Sequence, residues 1–150
     1  MIKMIQRLQP TITFIMLIQN KEDFLVEQIA TMFGFSEHYP GFCEIIIIGD
    51  RAGEAAVKLA WLALTLNKIK HPHVRTKMIR YTSELNINDL LQTGLNHALG
   101  QKIIIVTNDS EKIEMEKITD MGNRDIHITQ YVFDENVLEE TESSKALRSR

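Results

Sequence analysis

Three polar residues stand where a buried strand gives way to a turn: Asn20 after the run Thr11 to Ile18, Asp50 after Cys43 to Ile48, and Asp109 after Ile103 to Val106. Side chains at such positions can meet a ligand, and the same residue types also cap helices. Asp50 can cap a helix starting near Ala52, Asp109 one starting near Glu111, and Asn20 the helix that follows it. The turn Gly49-Asp50-Arg51-Ala52-Gly53 has two glycines that permit close backbone approach, and a helix N-terminus attracts phosphate. It lacks the spacing of G-x-G-x-x-G, and G-x-x-x-x-G-K-[ST] occurs nowhere, so it reads as a plain tight turn. His71-Pro72-His73 offers two imidazoles but no third ligand nearby. Arg75, Lys77 and Arg80 read as a solvated face. The single cysteine, Cys43, opens an apolar strand and reads as a small core residue.

The elements that must position these residues alternate between strand and helix. Apolarity that is continuous instead of alternating marks strands buried on both faces, hence a parallel sheet covered above and below. Strands are expected at about 11–19, 43–48, 74–81, 102–107 and 126–133. The first helix carries Phe24, Leu25, Ile29, Met32 and Phe33 as a core-facing stripe, with Gly34 and Pro40-Gly41 at its end. The second runs from Glu54 to about Lys68; its Trp61, beside Leu62, Leu64 and Leu66, reads as core or a subunit contact. Asn86 or Asn88 caps a third helix, Asp89 to Leu99, closed by Gly100 at C′. A charged helix is expected at 111–121. The fold class is therefore α/β, a three-layer α/β/α sandwich with a mostly parallel sheet. Ligands of such sheets sit outside the carboxyl ends of the strands.

Residues 1–133 read as one domain and 134–150, acidic and then Ser/Lys/Arg-rich, as a flexible tail. A chain of 150 residues is one typical domain, and a net charge of −3 supplies no field favouring nucleic acid or an anionic membrane. No run approaches the roughly 20 apolar residues of a membrane span. The lone cysteine fits a reducing compartment, and a cytoplasmic location is expected.

The segment Ile12 to Leu25, with its Asn20 and following charges, resembles the opening of family 2 glycosyltransferases. Tyr39-Pro40 to Gly49-Asp50 is similar to that family's second strand. Leu95 to Gly100 resembles the helix before its metal-binding strand, and Ile103 to Asp109 falls at its Asp-x-Asp motif. The resemblance covers about residues 11–110 and implies a truncated GT-A, Rossmann-like fold. It also implies a nucleotide or nucleotide-sugar bound by Asn20, Asp50 and Asp109, with Mg²⁺ or Mn²⁺ on Asp109. The family's paired aspartates are here Gly49-Asp50, and its Asp-x-Asp is Thr107-Asn108-Asp109. The residues after Asp109 read as a helix, a strand and a tail, so the acceptor-binding half is expected to be lacking. Any enzyme activity would be glycosyl transfer, with Glu111, Glu114, Glu116 and Asp120 as the available bases. The alternative is a non-catalytic interaction or homo-oligomerisation domain on the same scaffold.

Overall fold

A computed structural model describes residues 11–19, 24–120 and 122–130. Asn20, the end of the expected fifth strand and the 134–150 tail lie outside them. Five strands form one sheet: β1 (Ile12–Ile18), β2 (Cys43–Gly49), β3 (Arg75–Arg80), β4 (Lys102–Val106) and β5 (Asp125–Thr129). Their order is β3-β2-β1-β4-β5, and every neighbouring pair is parallel. Every residue of β1, β2 and β4 is buried, as continuous Ile/Val-rich runs require.

Two helical layers cover the sheet. α1 (Leu25–His38) and α2 (Glu54–Lys70) pack on one face against Phe14, Met16, Ile18, Ile45 and Ile47. α3 (Ile87–His97) packs on the other against Ile15, Leu17, Ile46, Ile48 and Ile105. Alternate residues of one strand thus feed opposite cores, as the period of two dictates. Asn86 caps α3, its side chain accepting from the Asn88 N–H.

Several expected boundaries differ. An α-helix is expected over 111–121, but the chain from 111 to 120 is not one; two short 3₁₀ turns, Ser110–Lys112 and Met115–Lys117, stand there. Ile113 and Ile118, five residues apart, both pack against the α3-side core, which one helical face would not allow. α3 side chains also hold this stretch: Asn88 Oδ1 accepts from the Glu114 N–H at 2.8 Å, and Gln92 bonds both backbone groups of Thr119 at 2.8 Å. α1 continues through Gly34 to His38, and α3 stops at His97 with extended Ala98 as its cap. Gly100 is no left-handed C′ residue, since no glycine described has a positive φ. It is needed for close approach, because a Cβ there would lie 2.6 Å from the Thr13 nitrogen.

The amino end of the sheet holds a buried carboxylate inside an apolar run. Glu44 accepts from Thr13 Oγ1 at 2.9 Å and from the Leu99 N–H at 3.0 Å, and Lys77 Nζ lies 3.5 Å away. Lys77 also donates to the His97 carbonyl, so three strands and the end of α3 are tied together. Arg80, on the opposite face of β3, pairs with Glu54 at 3.0 Å. The basic residues of β3 are therefore not one solvated face.

Before β5, Arg124 donates to Asp120 Oδ1 at 2.8 and 3.0 Å and to the carbonyls of Ala98 and Leu95 at 2.7 and 2.9 Å. The Arg124 hydrogen bonds hold the Asp120 carboxyl below the usual aspartate range. As pH falls, the unfolded chain takes up this proton first, so the stabilisation is full above about pH 4 and is lost below it. Asp120→Asn should cost about 1 kcal/mol at neutral pH, because Arg124 keeps its two carbonyl partners. Urea titrations of both proteins as a function of pH should show that gap narrowing only below about pH 4.

Candidate functional site

The strand order reverses at β1, which has β2 on one side and β4 on the other. Parallel α/β sheets open a crevice at that point, outside the carboxyl ends. Three segments leave the sheet there: Gln19 after β1, Asp50 to Gly53 after β2, and Thr107 to Asp109 after β4. The ends of β2 and β4, two strand spacings apart, are separated by about 10 Å. Asp50 and Asp109 therefore occupy the same edge of the sheet, flanking β1. Asn20 lies outside the described residues.

The two aspartates have different surroundings. Asp50 is 1% exposed. Its Oδ1 accepts from the Ala52 N–H at 3.1 Å, and its Oδ2 from the Leu85 N–H at 2.9 Å and from Gln19 Nε2 at 3.4 Å. Gln19 Nε2 also donates to the Leu85 carbonyl at 2.6 Å. Asp50 thus caps the 3₁₀ turn Arg51–Gly53 and ties the β3–α3 connection to the end of β1. Asp109 remains partly open to solvent, with Lys112 Nζ 3.7 Å from its Oδ1. Its backbone N–H donates to Thr107 Oγ1 at 3.1 Å, and its carboxylate caps no helix.

The glycines around Asp50 serve packing. A Cβ on Gly49 would lie 2.3 Å from Val57 Cγ2, and one on Gly53 would lie 3.0 Å from the Ile18 carbonyl oxygen. At both positions a side chain would meet the chain's own atoms, so glycine is needed there for close packing. Beside this turn, a cavity of about 240 Å³ at the carboxyl ends of β2 and β3 is lined by Arg51, Glu54, Arg80, Tyr81 and Thr82.

One residue at this edge escaped the sequence pattern. Phe24 belongs by helical spacing to the core-facing stripe of α1, yet it is 55% exposed. It precedes α1 with φ 59°, the left-handed region, and its carbonyl accepts from the Gln28 N–H at 2.8 Å. A bulky aromatic held at positive φ is strained backbone, and such strain clusters at ligand clamps. Periodicity cannot report a local φ, so no sequence signal separated Phe24 from Leu25.

The remaining candidates resolve into structural roles. His71 lies against Phe33, ring centroids 5.8 Å apart, with Nδ1 3.4 Å from Glu37. Cys43 is buried in the core on the α1/α2 face. Asp120 is occupied by Arg124, and Glu114 is paired with Lys117 at 3.0 Å. Among the described residues no group of three His, Cys, Asp or Glu side chains is placed to hold a metal ion.

The parallel sheet, its order and its two helical layers define a Rossmann-like α/β sandwich. Compared with known proteins, the chain matches no family model, no curated protein and no solved structure. No helix among the described residues is long and apolar enough to cross a membrane.

Asp50→Ala would strand the N–H groups of Leu85 and Ala52 and should destabilise the fold by roughly 2–4 kcal/mol. Asp50→Asn, which keeps one acceptor oxygen, should cost about half as much. Urea unfolding with an unchanged midpoint for Asp50→Ala would show that this carboxylate does not hold the edge together.

Proposed function

We propose that this chain is a glycosyltransferase-like nucleotide-binding domain whose site is the carboxyl edge around β1, and that it does not transfer sugar by itself. The observation that supports the reading is the reversal of strand order at β1, beside which the chain segments carrying Asp50 and Asp109 leave the sheet. In this reading each has its own task. Phe24 stacks on a nucleobase, and Asp109 approaches the diphosphate through a divalent cation. Asp50 keeps the walls in place from within. The cavity beside Arg51, Arg80 and Tyr81 adds cationic and aromatic surface for the same ligand. Mg²⁺ or Mn²⁺ would bring hard-cation chemistry to Asp109, with the ligand's phosphate oxygens completing a coordination sphere that one carboxylate cannot.

Catalysis needs an acceptor hydroxyl positioned beside the donor and a base with a tuned pKa. Asp120, among the bases that follow Asp109, is held as a carboxylate by Arg124. Titration calorimetry with UDP, GDP and UDP-glucose, with and without Mn²⁺, tests the binding. Phe24→Ala should weaken it about tenfold, since base stacking contributes roughly 1–3 kcal/mol. Asp109→Ala should remove its dependence on Mn²⁺. No heat with any of these ligands would sink the nucleotide reading. Donor turnover by the isolated chain, abolished in Asp109→Ala, would sink the non-catalytic part.

A second reading, an interaction domain that assembles as a homo-oligomer, is favoured by one observation. α2 carries exposed large apolar residues on the side away from the sheet.

A further inference from the structure

The net charge of −3 conceals a segregation of charge along the chain. Residues 51–80, which make α2 and β3, hold seven Lys and Arg and a single acid, Glu54, for a net +6. The remainder of the chain therefore carries −9, and residues 81–130, with the β4 and β5 edge, carry −4. Around the carboxyl half of α2 the cations stand without acids. Among the described residues Lys68, Lys70 and Arg75 have no carboxylate within ion-pair distance. Burial, with Arg75 close by, pulls the Lys68 ammonium below the usual lysine range.

The same helix is apolar on its outward side. Val57, Ala60, Ala63 and Leu64 are buried against the sheet and α1. Leu59, Leu62, Leu66 and Ile69 point the other way and are 46, 53, 64 and 73% exposed. Spaced three, four and three residues apart, they form one stripe. At 3.6 residues per turn, Lys58 borders the stripe on one side and Lys70 on the other. Trp61, 54% exposed, lies beyond Lys58 towards Met78 and Arg80 of β3.

From an aliphatic stripe set in a field of one sign, we infer that the α2 face docks on the surface of an anionic lipid bilayer. α2 lies in the plane of the interface, with Leu59, Leu62, Leu66 and Ile69 entering the boundary between headgroups and acyl chains. Lys58, Lys70 and Arg75 meet the anionic headgroups, and Trp61 sits at headgroup level, where indoles concentrate. α1, in the same layer, has Glu27 and Glu37 and no Lys or Arg, so the molecule tips away from it and towards β3. Charge selects this occupant. A second copy would set one +6 face on another, which like-charge repulsion opposes. A nucleic acid matches the charge, but its phosphate backbone offers Leu and Ile no apolar surface. An anionic bilayer supplies charge at its surface and hydrocarbon beneath, and the opposed charges of the two sheet edges orient the approach.

Trp61 is the only tryptophan, so its emission reports this face directly. Phosphatidylcholine vesicles containing one quarter phosphatidylserine should shift that emission to the blue and carry the chain into the vesicle pellet; pure phosphatidylcholine should do neither. Raising salt from about 0.1 to 1 M, which shortens the screening length from about 10 to 3 Å, should weaken binding at least tenfold. Lys58→Gln with Lys70→Gln should weaken it about thirtyfold, since each cation near an anionic surface contributes roughly a factor of five. Leu62→Glu with Ile69→Glu should abolish both signals and leave the circular dichroism and the urea midpoint unchanged. No shift and no pelleting with the anionic vesicles would overturn the proposal. Binding that persists in the Leu62→Glu, Ile69→Glu variant would overturn α2 as the contact, and equal binding to pure phosphatidylcholine would overturn the role of charge. A blue shift that grows with protein concentration alone, or that an acidic leucine-bearing peptide produces and vesicles do not, would give the face to a protein partner and overturn the lipid surface.

Discussion

The structure depends on burying β1 completely. Its seven residues lie inside with a strand on each side and a helical layer on each face. A strand in that position needs both its hydrogen-bonding edges satisfied and both its side-chain faces covered. Parallel neighbours joined by helical crossovers meet those needs together, because each crossover that returns the chain also covers a face. β2 is laid on one side of β1 and β4 on the other, and the reversal between them creates the crevice at the carboxyl edge.

Buried carboxylates secure the two ends of that arrangement. At the amino end Glu44 gathers Thr13, the Leu99 N–H and Lys77. At the carboxyl end Asp50 gathers Gln19 and the N–H groups of Ala52 and Leu85. Each is buried, where a carboxylate without partners would be costly and its hydrogen bonds fix the segments it joins. Asp50 thereby joins the walls of the crevice and is closed to a ligand. Asp109, whose side chain lies 3.7 Å from Lys112 and is partly open to solvent, stands at the same edge.

The outer surface is less evenly finished. β3 is an edge strand whose cations discourage edge pairing, and they are themselves tied down, Lys77 to Glu44 and Arg80 to Glu54. Beside it α2 presents Leu59, Leu62, Leu66 and Ile69 to solvent. One helix is thus both a layer of the core and an exposed apolar surface. The carboxyl edge and the α2 face present different chemistry: carboxylate, guanidinium and aromatic groups at the first, aliphatic side chains and one indole at the second.

By itself the sequence determined the architecture. Continuous runs such as Ile45-Ile46-Ile47-Ile48 encode burial on both faces, and that property is local enough to read residue by residue. It likewise placed Asp50 and Asp109 at strand ends and Asn86 or Asn88 at a helix start. Only the tertiary structure decided what those positions do. Whether Asp50 faces a ligand or the Leu85 N–H depends on a connection 35 residues away. The conformation of 111–120 was decided in the same manner, with Asn88 and Gln92 reaching across from α3 to bond its backbone. Phe24 and Leu25 are neighbours of like polarity, yet a positive φ sends one outward and leaves the other in the core. Along α2 the sequence marked which residues are apolar. Which of them the sheet covers follows from the angle at which the helix lies on β2 and β3, and no single segment carries that information.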